Sequence, residues 1–302
     1  GGVRVFIPER RFVRRFVREE RKITQEFLRG ISITPREKFL LKLLSNKNPK
    51  TNILTTDQIE ILVYSKNICK KCWTMGYHKL QCSCGSIDFW KNNPSSWWNI
   101  TNKSLKWLYN NYCIDRFEPP VGRNEGSAPQ HVILDRAGAL LLNQRNFRKI
   151  SYIPQSYQHD LKIVDFYCAL ELENLKNPQG EIIYWQQDPY TKRSFTLNNK
   201  RYTFRPDIFV IYKYSQNRIK IMFVECDNAT ESINRLKGKI RMYHNYFLSG
   251  VWRQEYWSRS IPNTFPLVVF LTTVKNDSSK LNRYSESIDS PIRFIFLTYD
   301  QL

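Results

Sequence analysis

Three acids stand where extended segments end in the second half of the chain. Arg205-Pro206-Asp207 interrupts an apolar run over 202–214, and Phe223-Val224-Glu225-Cys226-Asp227 closes the next one. Side chains two apart on an extended strand share a face, so Glu225 and Asp227 point the same way there. A hairpin between the two runs would bring Asp207 to that face as well. Converging carboxylates repel one another unless a cation sits between them, and Mg²⁺ or Mn²⁺ is the usual one. Such an ion can orient a water and offset charge on a scissile phosphate. The plainer alternative is ordinary ion pairing of these acids with Arg205, Arg235 and Lys237.

A second chemical cluster is built from cysteine. Cys69 and Cys72 are followed, nine residues on, by Cys82, Cys84 and Gly85. Two short thiolate pairs joined by a tight loop match the tetrahedral preference of Zn²⁺, and four thiolates leave no open position, so the zinc would be structural. Lys70 and Lys71 favour thiolate formation. Reduced thiols without metal are the alternative; the total of seven Cys is odd, which argues against a disulfide framework. Cys113, Cys168 and Cys226 lie in apolar runs and read as core, and His78 reads as a surface residue.

The elements that must position these groups fall into two halves. Residues 5–30 read as an Arg-rich helix, with Phe12, Phe16, Ile23 and Phe27 along one stripe and Arg10, Arg11, Arg14, Arg15, Arg18 and Arg21 around it. That helix would track phosphates, or pack one greasy stripe on the body, and it is a candidate self-association element for a homodimer. Thr34-Pro35-Arg36-Glu37 and Thr55-Thr56-Asp57-Gln58 each spell a capping box at a helix start. A third helix over 103–111 turns Leu105, Leu108 and Tyr109 inward. Strands at 112–117 and 131–134 flank a Pro- and Gly-rich turn. Three short helices and a hairpin are the parts of a winged helix-turn-helix, whose third helix enters the DNA major groove. Lys103 and Lys106 would ride on that helix and Arg123 in the wing; a winged helix used for protein contacts is the alternative. The cysteine knuckle, within 66–98, reads as an insertion before the third helix. From residue 151 the order becomes a helix at 157–175, strands at 181–187, 193–197, 201–214 and 218–226, a helix at 231–247, then strands at 267–274 and 292–298. The expected class is therefore α+β multidomain: a basic helix over 1–32, a winged-helix domain over 33–150 and a mixed α/β domain over 151–302.

Charge agrees with a polyanionic partner. The 302 residues carry a formal charge of +20, and residues 1–150 hold 27 Lys and Arg against 12 Asp and Glu. Such a face suits nucleic acid; an anionic membrane surface is the rival, for the first 30 residues only. The uncharged apolar run at 264–274 is far short of the ~20 residues that a spanning helix needs. The opening Gly1-Gly2 resembles neither a signal peptide nor an initiator Met. A soluble, cytoplasmic, bacterial protein is the expectation, without membrane insertion.

Several segments together carry a family resemblance. Thr34-Pro35-Arg36-Glu37, Leu54-Thr55-Thr56-Asp57-Gln58-Ile59, Asp115-Arg116-Phe117 and Leu134-Asp135-Arg136-Ala137-Gly138-Ala139 resemble the N-terminal half of the replication-relaxation proteins. His159-Asp160-Leu161 with Asp165, Arg205-Pro206-Asp207, and Val224-Glu225-Cys226-Asp227 with Lys239 and Tyr243 are similar to their second half. The family includes the MOBC-type relaxases of plasmids and integrative elements. The resemblance implies a winged helix joined to a restriction-endonuclease-like domain of the PD-(D/E)XK type. It implies metal-dependent, strand-specific nicking of double-stranded origin DNA to start transfer or replication, alongside accessory mobilization proteins and a coupling protein. On it Asp207 and Glu225 would hold Mg²⁺ or Mn²⁺, and His159 and Asp165 would sit on the helix leading into the site. The nuclease motif expects Lys at the position of Asp227, so Lys237 or Lys239 would have to supply the cation, and Lys239 fits the family pattern better. Trp185 is followed by Gln186 and Gln187 where an acid is common. No His-x-His is present for the better-known His-metal relaxase chemistry. Tyr243 and Tyr246 read as core packing, with water as the attacking group; a covalent phosphotyrosine step through one of them is the alternative. The alternative is an origin-binding initiator or regulator with a decayed nuclease fold; a dimeric double-strand endonuclease is a third reading.

Overall fold

A computed structural model describes residues 18–65, 97–119, 129–153, 157–177, 179–228, 231–259, 264–273 and 275–302, together with the backbone of three strand dipeptides. The chain divides into two compact units, Gly1–Tyr157 and Gln158–Leu302.

In the first unit, β1 (Val13–Arg14), α1 (Gln25–Arg29), α2 (Pro35–Leu43), β2 (Ile53–Thr55) and α3 (Thr56–Ile59) come first, and α3 runs on as a π-helical turn to Tyr64. Then follow β3 (Ile68–Cys69), β4 (Phe89–Trp90), α4 (Trp97–Asn110), β5 (Ile114–Glu118), β6 (His131–Leu134) and α5 (Arg136–Leu141). Both capping boxes form. Thr34 accepts the Glu37 N–H at 3.3 Å while Glu37 accepts that of Thr34 at 2.7 Å. Thr55 and Gln58 repeat the exchange at 3.2 and 3.0 Å. Each box satisfies two backbone donors that a helix start otherwise leaves unpaired. The expected hairpin is part of an antiparallel four-stranded sheet in the order β1-β5-β6-β2. The third helix begins six residues earlier than its sequence pattern marks, and Leu105, Leu108 and Tyr109 are buried as expected.

One expectation fails here: residues 5–30 are not one helix. Val13–Arg14 form a strand against β5, and the only helix among the described residues of this segment is α1. Between them Arg18 reaches inward, its guanidinium against the Asp135 carboxylate, 3.7 Å from Asp115 and over the rings of Tyr109 and Tyr112. Lys149 joins the same two buried acids at 3.0 and 2.8 Å. Two carboxylates buried side by side demand cations, and an extended chain reaches them where a helix crowded with Arg would suffer like-charge repulsion on adjacent turns. Gly138 of α5 is required by packing, since a Cβ there would lie 2.3 Å from the Cys113 carbonyl oxygen.

The second unit holds α6 (Tyr157–Lys176), β7 (Glu181–Gln187), β8 (Arg193–Leu197), β9 (Lys200–Phe204), β10 (Ile208–Ser215), β11 (Arg218–Cys226), α7 (Ile233–Ser249), β12 (Leu267–Thr272), α8 (Lys275–Glu286) and β13 (Phe294–Thr298); the first residue of α6 belongs to the unit before. The expected strand over 201–214 is two strands in different sheets. Pro206 has no N–H to give a ladder, so the chain breaks there; β9 pairs with β8 as a ribbon while β10 joins the main sheet. That sheet runs β13-β12-β11-β10-β7, antiparallel among β7, β10 and β11 and parallel from β11 to β13. Both faces are covered. Phe209, Phe223 and Phe270 pack with α7 residues Leu236, Ile240 and Tyr243 on one side, and Val210, Val224 and Leu271 pack with Ile163 and Phe166 of α6 on the other. Double-sided burial explains why these strands read as continuous apolar runs. The sequence pattern missed α8, a polar stretch that buries Leu281. With it, β12 and β13 become a parallel pair with a helical crossover.

Candidate active site

The hairpin of β10 and β11 sets the site. Ile208 lies opposite Val224 and Phe209 opposite Phe223. Continuing that register places Asp207 opposite Glu225, and directly opposed residues of an antiparallel pair project to the same face. Asp207 is held on both oxygens: one accepts the Cys226 N–H at 2.7 Å and the other lies 3.2 Å from His159 Nε2. Glu225 is 2 % exposed. Its Oε1 accepts the Tyr243 hydroxyl at 2.6 Å, and its Oε2 lies 2.8 Å from Lys239 Nζ. Lys239 also pairs with Glu231 at 3.0 Å.

Helix periodicity delivers the two α7 groups. Lys239 and Tyr243 are one turn apart on the face that meets the sheet, the spacing at which helix side chains neighbour one another. Lys237 points elsewhere, its ammonium 4.9 Å from the centre of the Tyr284 ring. Of the two lysines, Lys239 is the one the structure brings to Glu225.

The electrostatics follow from burial. Loss of solvent pushes the Glu225 carboxyl up to about 7, and nearby Asp207 adds to the rise, while Lys239 and Tyr243 oppose it. Burial would lower Lys239, but Glu225, Asp207 and Glu231 outweigh it and hold the ammonium above its ordinary range. The hydrogen bond to Asp207 raises His159, against a smaller effect of burial. Burial and the adjacent Glu225 carboxylate drive Tyr243 well above the usual phenol range. Tyr243 is therefore a donor that fixes Glu225 and a poor nucleophile. Tyr246 donates to Glu255 at 3.0 Å, which in turn pairs with Arg193 at 2.8 Å.

Other expected residues lie outside this cluster. Asp227 follows the end of β11; its N–H goes to the Leu271 carbonyl and its carboxylate accepts the Glu231 N–H at 3.3 Å. The two-residue alternation that aligned it with Glu225 ends with the strand. Asp165 pairs with Lys162 at 3.1 Å on α6. Lys103 and Lys106 are exposed on α4. The side chains of Cys69, Cys72, Cys82, Cys84, Arg10, Arg11, Arg14, Arg15 and Arg123 lie outside the described residues. Sequence reasoning missed Glu231 as the second partner of Lys239, although Glu231, Arg235 and Lys239 stand at helical spacing; it also missed Tyr243 as a donor to Glu225.

Among the described residues, no group of three or more His, Cys, Asp or Glu side chains is disposed to hold a metal. Asp207 and Glu225 supply two carboxylates, oxygen donors of the kind that Mg²⁺ or Mn²⁺ takes. Each carboxylate oxygen has a second lone pair beside the one its protein donor uses, and Mg²⁺ ordinarily takes one or two carboxylates and fills its shell with water and phosphate.

The order of segments and the site's residues meet an independent comparison. The model of the replication-relaxation family matches residues 92–258, more than half of the chain and all of the Asp207, Glu225 and Lys239 cluster. The chain belongs to the replication-relaxation family. Neither the curated proteins nor the solved structures yield a match. Within this replication-relaxation protein, no helix of the described residues is long and apolar enough to cross a membrane.

Proposed function

We propose that this replication-relaxation protein is a metal-dependent DNA nickase, a relaxase of a plasmid or integrative element that cleaves one strand of origin DNA. The observation that carries the reading is the convergence of Asp207, Glu225 and Lys239 at one end of a helix-covered mixed sheet. Two acids and a lysine in that position are what a PD-(D/E)XK nuclease uses, and the cation arrives here from a helix instead of the strand. In the first unit, the order α2, β2, α3, α4, β5, β6 with its antiparallel sheet supports a winged helix. The exposed Lys103 and Lys106 on its third long helix, and the +20 charge, support duplex DNA as the partner. A four-cysteine zinc knuckle between α3 and α4 would add to site choice.

Asp207 and Glu225 would hold the divalent ion, which when bound draws charge from the scissile phosphate and favours ionisation of a water. Lys239 offsets the charge that builds on the phosphate as water attacks. His159 keeps one oxygen of Asp207 in place, and the Tyr243 hydroxyl does the same for Glu225. Cytoplasmic work with accessory mobilization and coupling proteins belongs to the same reading.

One observation favours the rival reading, an origin-binding initiator without cleavage. Three of the four oxygens of Asp207 and Glu225 already have a hydrogen-bond partner in the protein, and the fourth, Glu225 Oε2, lies 2.8 Å from the Lys239 ammonium. A nicking assay separates the two. Supercoiled plasmid carrying the element's origin is incubated with Mg²⁺ or Mn²⁺ and wild type, Asp207→Ala or Glu225→Ala. Open-circle product that requires metal and disappears in both variants is the expected result. Specific origin binding with no nicking in either metal would overturn the nickase in favour of the initiator.

A further inference from the structure

A helix glycine opens the cavity beside the Glu225–Lys239 pair. Gly238 sits inside α7, where glycine costs about 1 kcal/mol relative to alanine. A Cβ at Gly238 would meet nothing within 4 Å. Packing therefore gives no reason for it, in contrast to Gly138. What the missing side chain does is leave a cavity of about 360 Å³ open down to the helix backbone. Arg235, Gly238, Lys239 and Met242 line it at helical spacing, together with Tyr243 of the same helix, Glu225 of β11, and Phe204 and Arg205.

The lining has two characters. Phe204 and Met242 give the lining its apolar part, and the largely exposed Arg205 and Arg235 give it two guanidinium groups. Arg235 is 71 % exposed and contacts Glu231 through Nε at 3.2 Å; Arg205 is 54 % exposed and lies 3.8 Å from Asp188. These acids hold the guanidinium groups in place while leaving much of each in solvent. A flat apolar body with anionic groups on either side complements such a pocket, and a nucleotide has that form. The volume lies near the lower end of the range, about 300–1,000 Å³, in which single small-molecule groups are held. It has no room for a base pair.

We propose that this cavity seats one unpaired nucleotide of the cleaved strand, its base against Phe204 and Met242 above Gly238 and its phosphates on Arg205 and Arg235. The inference rests on the nickase reading and deepens it: the strand must be locally melted where it enters the site. Base contact with such a lining contributes about 1–3 kcal/mol, and each phosphate contact adds salt dependence.

The test uses the full chain without metal, and two fluorescein-labelled probes: oligothymidylate of about 20 nucleotides and a mixed-sequence duplex of about 20 base pairs. Gly238→Leu fills the cavity, and Gly238→Ala reports whether α7 tolerates a Cβ. Leu should weaken single-strand binding about tenfold and leave duplex affinity within about twofold. Arg205→Ala and Arg235→Ala should each lower the single-strand salt slope by about 0.7. A folded Gly238→Leu protein that binds the single strand like wild type overturns the pocket, as does a wild type that binds only duplex. Single-strand binding that responds to Gly238→Leu, in a protein that nicks nothing with Mg²⁺, supports the pocket and refutes the nickase. Nicking that Gly238→Leu leaves intact, with unchanged binding, does the reverse.

Discussion

Replacing Glu225 with Gln removes a buried charge while keeping the shape of the side chain and an oxygen for Lys239. The carboxyl's ordinary value is 4.5, and burial lifts it to about 7 in the folded chain. A folded-state pKa above the unfolded one means that the native protein binds the extra proton between those limits. Stability from this group is therefore intact below about pH 4.5, falls as pH rises through the window, and is lowest above about pH 7. Between about pH 5 and about pH 8 the shift corresponds to roughly 2–3 kcal/mol lost by wild type alone. Urea unfolding of both proteins at each pH measures it. The stability difference, Glu225→Gln minus wild type, should grow by that amount on going to the higher pH, because other titrating groups are shared and cancel. Parallel pH profiles for the two proteins would show that Glu225 titrates normally, and the electrostatic account of the site would be wrong.

Three further outcomes follow from the same contacts. Lys239→Ala should slow plasmid nicking by about 100-fold or more, the usual scale for losing a charge-stabilising group, whereas Lys237→Ala should stay within about twofold because its ammonium rests on Tyr284; equal effects of the two in the nicking assay would contradict the geometry. Gly138→Ala should lower the urea-unfolding free energy by about 1–3 kcal/mol, since the new methyl must displace the Cys113 carbonyl. Duplex affinity should fall steeply with salt, and Lys103→Ala and Lys106→Ala should each reduce the slope of log K against log salt by about 0.9; a flat salt profile in an anisotropy titration would remove α4 from the DNA surface.

Local rules made much of this protein legible from its residues. The capping boxes at Thr34 and Thr55 and the strands at 181–187, 193–197 and 218–226 each depend on interactions within a few positions, and each stands where the pattern put it. Reading failed where a local pattern was outweighed. The stripe of Phe12, Phe16, Ile23 and Phe27 suggested a helix, but Val13–Arg14 pair with β5 and Arg18, outside any helix, reaches inward to the buried acids Asp115 and Asp135. The segment of α8 is so polar, with Leu281 its one fully buried leucine, that it offers too few apolar residues to mark a core-facing helix.

The site divides along the same line. Asp207 and Glu225 were visible because strand ends and a hairpin fix their relation through register alone. Asp227 looked equivalent until the end of β11 removed the alternation that aligned it. The family resemblance already favoured Lys239 over Lys237, but the contact of Lys239 with Glu225, the donation from Tyr243 and the pairing of His159 with Asp207 came only with the tertiary structure. Each depends on how a helix is rotated against the sheet: α7 by the packing of Leu236, Ile240 and Tyr243 on Phe223 and Phe270, and α6 by that of Ile163 and Phe166 on Val210 and Val224, a property of the whole core and not of any one segment.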